Sequence, residues 1–221
     1  METYQKWTTP YFSTPKLIDP VSGLVEIDGV QGLLMPRDIE VLCHYASGLP
    51  RGARVVEIGS FMGLSALAMA KAFYIRQNYT ARIYCVDTWE GSAEHRDMEV
   101  IEKGELFERF KRNIAESGLA AYFIPLRKDS VAASGEFQDE SFDLIFVDGD
   151  HTFEGVSKDL VSWYPKLKPE GVFLGHDYGY PDVVNAVNSF IKDRELCVTL
   201  FGIPPYSGFM YRLDRLKAVL K

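Results

Sequence analysis

The sequence predicts an α/β domain: an open, mostly parallel seven-stranded sheet with an antiparallel edge strand and helices on both faces. Three observations carry that expectation. Short strand-forming runs alternate with helical stretches along most of the chain, a β-α-β-α rhythm. Runs such as VVEI at 55–58 and LIFV at 144–147 are apolar on both faces, as strands covered by helices on each side must be. Two last runs, LCVTLFGI and SGFMYRL, follow the final helix with no long helical segment between them, so they are expected to pair antiparallel.

The elements follow in order. Residues 1 to about 33 are rich in Thr, Pro and Gly with little period and read as an irregular arm or lid, so that 1–35 is set apart from a single domain at 36–221. A helix is expected in PRDIEVLCHYASGL: Pro36 suits its first turn, Asp38 and Glu40 complement its dipole, and Gly48 suits its stop. Strands then fall in ARVVEI, ARIYCVD, AAYFIPL, FDLIFVD and GVFLGHD. Helices fall in LSALAMAKAF, GELFERFKRNIAESG, FEGVSKDLVSWYPKL and VVNAVNSFIKDREL, joined by right-handed crossovers.

Composition bounds the function. A chain of 221 residues, 47% hydrophobic and 13% aromatic, can bury one large core without splitting. Its formal charge of -7 argues against a nucleic-acid partner, which needs clustered Lys and Arg. Cys43, Cys85 and Cys197 are far apart and form no C-x-x-C pair, so a reducing, cytoplasmic setting is expected. No stretch approaches a membrane span, and METYQKWTTPYFSTPK lacks the basic start and apolar core of an export signal. Trp7, Tyr11 and Phe12 in the arm suit a homodimer contact.

In such sheets, ligands collect beyond the carboxyl ends of the strands. Acids stand at every one of those ends: Glu57, Asp87, Asp129, Asp148 and Asp177. The opposite ends carry Arg54, Arg82 and Asp143. In VVEIGSFMGLS, Gly59 and Gly63 permit close backbone approach and positive φ, and the next helix offers its first N–H groups to a ligand. A tight strand-to-helix turn explains the glycines equally well. The E-x-G-x-x-x-G spacing differs from the G-x-G-x-x-G of dinucleotide sites. Asp87 is placed either to accept hydrogen bonds from two ribose hydroxyls or to cap the next segment.

VVEIGSFMGLS, YCVDTWEG, KDS, FDLIFVDGDHTFEGVSKDL and GVFLGHDY together resemble class I S-adenosylmethionine-dependent methyltransferases. The likeness is to the small-molecule O-methyltransferase branch, with its macrocin-type sugar methyltransferases and catechol methyltransferase relatives. It spans about residues 36 to 192. The resemblance implies a Rossmann-like fold and S-adenosylmethionine as cofactor. It implies Glu57, Gly59, Ser60, Phe61, Gly63, Leu64 and Ser65 around the methionine part, Asp87 with Thr88 and Trp89 at the ribose, and Asp129 and Ser130 beside the adenine, with Asp148 also near the cofactor. Charge agrees: an acid-lined pocket attracts a sulfonium cation and repels a pyrophosphate. Trp89 has a second reading, plain packing at the sheet edge.

Methyl transfer to an alcohol or phenol needs a base or a metal to take the acceptor's proton. In the resembling sugar methyltransferases an Asp ending the fourth strand and an acidic pair ending the fifth bind a divalent metal, and a His three residues after the first Asp is the base. Asp148 and His151 match that spacing and are the expected catalytic pair. The acidic pair is matched only in part, because His176 replaces its first member before Asp177. A metal held by Asp148, His176 and Asp177, magnesium or manganese, is therefore an open expectation, since magnesium prefers an all-oxygen shell. Asp148 and Asp177 as plain hydrogen-bond acceptors are the alternative, as is His151 capping the helix near Thr152. Asp150 reads as a loop or cap residue. The expected partner is a small-molecule methyl acceptor. N-methylation or another tailoring reaction on the same fold, and a non-catalytic nucleoside-binding role, are the competing functions.

Overall fold

The computed structural model describes residues 16–19, 24–91, 99–202 and 209–215. The expected dimer contact of Trp7, Tyr11 and Phe12 lies outside them. Strands β4 (Arg54–Ile58), β5 (Arg82–Asp87), β6 (Phe123–Arg127), β7 (Phe142–Val147), β8 (Leu167–Gly175), β9 (Leu196–Phe201) and β10 (Met210–Arg215) form one seven-stranded sheet. Its order is β6-β5-β4-β7-β8-β10-β9, with β4 to β8 parallel throughout. The order reverses at β4, so the crevice beyond β4 and β7 is the expected ligand position. The antiparallel strand lies one place in from the edge: β10 pairs with both β8 and β9, and β9 forms the edge.

The sheet is buried because its strands are apolar on both faces. All six residues of β7 are buried, and four of the five in β4. Two apolar layers follow. Helix α1 (Pro36–Gly48), α2 (Leu64–Ile75) and α4 (Leu106–Glu116) cover one face, while α6 (Phe153–Trp163) and α7 (Pro181–Ile191) cover the other. Short helices α3 (Glu99–Glu102) and α5 (Ser130–Ser134) complete the set. Ten of the twelve residues of α2 are buried, which explains why LSALAMAKAF carries no polar face. No helix among the described residues is long and apolar enough to cross a membrane.

The amino-terminal arm departs from the irregular segment expected of it. Among its described residues, β1 (Lys16–Asp19), β2 (Leu24–Ile27) and β3 (Val30–Gly32) make an antiparallel meander. Its tight turn is Asp28-Gly29, both at positive φ (49° and 81°), the conformation a two-residue hairpin demands. Val25, Ile27 and Val30 are buried in the same core as α1 and α2. Lys71 of α2 pairs with Asp28, and Gly32 lies so close to Leu64 that a Cβ would meet the Leu64 Cβ at 2.7 Å. The meander is thus fastened to the body.

At the amino ends of the strands the charges are satisfied locally. Asp143 accepts the Arg54 N–H at 2.8 Å and pairs with Lys168 at 2.7 Å. The Arg54 guanidinium lies 5.2 Å above the rings of both Tyr84 and Phe142.

Candidate active site

The carboxyl ends of β4 to β8 bring the sequence-predicted acids to one rim. Residues Ile58, Val86 and Val147 stand in register, and Val147 is level with Gly175, so the segments that follow them project together. After β4 the chain makes the glycine turn. Gly59 (φ 87°), Phe61 (φ 46°) and Gly63 (φ 90°) are all left-handed. Gly63 is the N-cap of α2 and leaves its first N–H groups without a side-chain cap.

Gly59 is fixed by its neighbour. A Cβ there would overlap the Asp148 carbonyl oxygen and approach Gly149 Cα at 2.8 Å. The two loops are therefore in backbone contact. Gly59→Ala is expected to push them apart and to cost at least about 2 kcal/mol, counting backbone strain and overlap together. Calorimetric unfolding and cofactor titration of that variant check it, since both stability and affinity are expected to fall.

Glu57, at the mouth of β4, is fully buried. Neither of its carboxylate oxygens closes a hydrogen bond with described residues, although the Ser60 and Ser65 hydroxyls lie near enough to favour the ionised form. Burial dominates and pushes its pKa up to about 7, with Asp148 and Asp87 adding repulsion. Ser60 Oγ is likewise buried and closes no hydrogen bond among the described residues, and Ser65 and Leu64 are buried on the first turn of α2.

Asp87 ends β5 and holds the turn. Its Oδ2 accepts the Phe61 N–H at 2.8 Å and its Oδ1 the Trp89 N–H at 2.7 Å. Burial raises its pKa while those backbone donors oppose the rise. Thr88 beside it is exposed, and its Oγ1 accepts the Glu90 N–H at 3.3 Å. Trp89 follows the packing alternative: it is 2% exposed, sits 4.6 Å and 4.7 Å from Phe107 and Phe110, and donates its indole N–H to the Phe61 carbonyl at 2.8 Å. It braces the glycine turn from behind.

Beyond β6, Asp129 caps α5 by accepting the Ala132 N–H at 3.0 Å. Ser130 donates to Asp159 of α6 and accepts the Trp163 indole N–H at 2.8 Å. Burial pushes Asp159 up to about 6, against the stabilising bond from Ser130. Sequence reasoning did not single out Asp159, whose neighbours in α6 give no sign that it faces inward.

The groups after β7 and β8 converge. His151 Nε2 lies 2.9 Å from Asp177 Oδ2, and the His151 ring is stacked on Tyr180, 7° from parallel at 5.3 Å. His176 Nδ1 lies 3.4 Å from Asp148 and 3.1 Å from Asp177. Burial works against a charged His176, but the two carboxylates overcome it and hold its pKa well above the usual range. In turn, burial would raise Asp177, yet His176 and His151 carry it well below the ordinary carboxylate value. Asp177 adopts φ 59°. Asp148, His151 and Asp177 each offer a metal-ligand atom, all within 4.8 Å of one another.

The helix α6 begins without His151. Thr152 is its N-cap, accepting the Gly155 N–H at 3.1 Å, and Asp150 accepts the Thr152 N–H at 2.8 Å. Asp150 is thus the loop residue it was expected to be. A small cavity opens between the strand ends, lined in part by Asp148, His151, His176, Asp177 and Tyr211. His176 also meets a third acid that sequence reasoning assigned only to a helix dipole. Asp38 Oδ2, on the first turn of α1, lies 3.3 Å from His176 Nε2.

Comparison with known proteins adds to this geometry. A family model described as a methyltransferase domain matches residues 56–178. The chain is 34% identical over 128 residues to the uncharacterized protein y4gI of Sinorhizobium fredii, an alignment covering 58% of this chain. It spans only 13% of the length of that relative. Among solved structures, it resembles a SAM-dependent O-methyltransferase from Thermotoga maritima with a TM-score of 0.60 and 13% identity, over 81% of this chain and 65% of that one. It also resembles the O-methyltransferase from Bacillus cereus in complex with SAH, with a TM-score of 0.58 and 18% identity over 81% of both chains. At such identities the likeness is one of fold.

Proposed function

The chain belongs to the methyltransferase-domain family, here with the class I S-adenosylmethionine-dependent fold, and from that premise we propose that it methylates a hydroxyl of a small metabolite of sugar or phenol type. The observation that carries this reading is the His151–Asp177 pair, 2.9 Å apart at the carboxyl end of the sheet.

The residues fit the cofactor. A buried carboxylate that closes no hydrogen bond among the described residues, Glu57, underlies a glycine turn where a side chain at Gly59 has no room, and Asp87 and Asp148 add negative charge at the same rim. When bound, S-adenosylmethionine supplies an electrophilic methyl group on a sulfonium cation. In this reading the glycine turn and α2 amino end hold its methionine part, and Asp87 takes the ribose by exchanging backbone donors for hydroxyls. Ser130 and Asp129 flank the adenine.

His151 is the base. With its Nε2–H donated to Asp177, its basic lone pair is on Nδ1, and Asp177 stabilises the imidazolium formed as the acceptor hydroxyl gives up its proton. The stack on Tyr180 keeps the ring from rotating. Asp148, at the same rim, accepts a hydrogen bond from a neighbouring hydroxyl of the acceptor and so orients the one that reacts.

Metal assistance is the second reading, favoured by the convergence of Asp148, His151 and Asp177. A divalent ion there would lower the acceptor's pKa, and a set with imidazole suits manganese better than magnesium. A reducing, cytoplasmic setting belongs to the proposal and is supported by three unpaired cysteines.

The test is S-adenosylmethionine titration by calorimetry, then mass spectrometry of a panel of sugars, phenols and amines for the gain of one methyl, with and without EDTA. Binding and O-methylation are expected. Persistence of turnover in EDTA supports His151 as base, and its loss supports the metal. No binding, or methylation of amines alone, overturns the proposal.

A further inference from the structure

His176 is buried among carboxylates, and one of them comes from outside the strand ends. Asp38 is 2% exposed and reaches His176 from the first turn of α1. We propose that Asp38 is a positioning residue for methyl transfer, acting through His176: it takes the ring's Nε2–H and so directs Nδ1 at Asp148 and Asp177. The inference rests on the active-site reading above.

The geometry leaves little choice of proton. Nε2 faces a carboxylate oxygen at 3.3 Å, where a lone pair would be repelled, so that nitrogen carries hydrogen. Among the described residues no hydrogen bond is closed at Nε2, and it is buried. The Asp38 carboxylate is the acceptor that faces it. The carboxylate itself is anchored, because the same Oδ2 accepts the Met35 N–H at 2.9 Å and closes the first turn of α1. Removing Asp38 leaves a buried N–H without an acceptor, a cost of roughly 1–3 kcal/mol that the ring escapes by turning or by giving up that proton. Either escape disturbs Nδ1, which touches both Asp148 and Asp177, and Asp177 in turn holds His151.

Asp38 also explains how a histidine is accommodated. Helix α1 brings a carboxylate to those of Asp148 and Asp177, so three acids surround one imidazole. An acid at 176 would be set against Asp38.

Two sets of variants test this. In the first, Asp38→Ala and Asp38→Asn are compared with wild type by side-chain nitrogen NMR of the histidines, of which the chain has four. Asn keeps an oxygen for both Met35 and His176, so it is expected to retain the wild-type His176 pattern, with both ring nitrogens protonated. Ala is expected to lose that pattern. With the acceptor found by the screen above, Asp38→Ala is expected to lower kcat about 10-fold to 100-fold, with the S-adenosylmethionine Kd within about twofold and Asn recovering most of the loss. An unchanged His176 spectrum or unchanged kcat in Asp38→Ala overturns the proposal. The second set covers the case in which Asp38→Ala does not fold. His176→Asp is expected to unfold well below wild type, and Asp38→Asn added to it is expected to raise the unfolding temperature. A double variant no more stable than His176→Asp alone overturns the proposal. Spectrum and unfolding need no acceptor, so they remain decisive if O-methylation itself is not found.

Discussion

Glu57→Gln is expected to make the ligand-free protein more stable at pH 8 and to bind S-adenosylmethionine more weakly, both through loss of one charge. The carboxyl is fully buried and its oxygens close no hydrogen bond among the described residues, so ionising it in place is unfavourable. Its pKa rises from 4.5 to about 7. Between those values the folded protein holds a proton that the unfolded chain has released. Glu57 therefore favours the fold below its unfolded pKa, and that advantage is lost as pH rises through about 7. The full difference is about 3 kcal/mol, and glutamine, which never ionises, removes the dependence. For a chain of this size that corresponds to a rise of roughly 5–10 °C in unfolding temperature at pH 8 and little change at pH 4. The cofactor sees the opposite side of the exchange. A cationic ligand loses a nearby anion, and affinity is expected to fall roughly 10-fold or more. Thermal scans at both pH values and one calorimetric titration decide the matter. A variant no more stable than wild type at pH 8, or an unaltered affinity, would remove Glu57 from the account of cofactor binding.

Asp177→Asn is expected to lower kcat about 100-fold to 10,000-fold while leaving cofactor affinity within a few fold. Asparagine is the informative replacement because position 177 has φ 59°, a conformation that Asn tolerates and that a β-branched residue does not. The backbone after β8 is therefore kept, and the change is confined to the charge that steadies His151 and His176. The ionised form of Asp177 is favoured by those two rings well below its ordinary pKa, so its contribution to stability is present at neutral pH and fades only as pH falls below the usual carboxylate range. His176 runs the other way, its stabilising charge being complete below its unfolded pKa and lost as pH rises through its elevated folded value. His151→Ala should reproduce the kinetic loss, and combining the two changes should add little, as expected of groups acting together. Additive losses would show that the pair is not a unit.

Much of this architecture is written in local patterns. VVEI and LIFV are apolar on both faces because both faces are covered, and acids follow the strands where the chain turns toward a ligand. The meander was missed because its strands are three or four residues long, too short for alternation to stand out. Its Asp28-Gly29 turn between LVEI and VQG was a usable hairpin signal. Asp38 was legible only as a first-turn acid, since nothing near it in sequence tells that α1 is carried to the end of β8. The same holds for Trp89, where composition cannot distinguish a ring facing a ligand from one packed on Phe107 and Phe110. Local chemistry shows what a residue offers; the fold decides which neighbour receives it.

The insertion of β10 between β8 and β9 has a consequence for synthesis. On the ribosome β9 emerges before β10, which is its pairing partner in the finished sheet, and β8 waits with one side unpaired over the same interval. The nascent domain must therefore shelter an open, apolar margin until the later segment threads into place, which makes that stage the one most exposed to chaperones and to self-association.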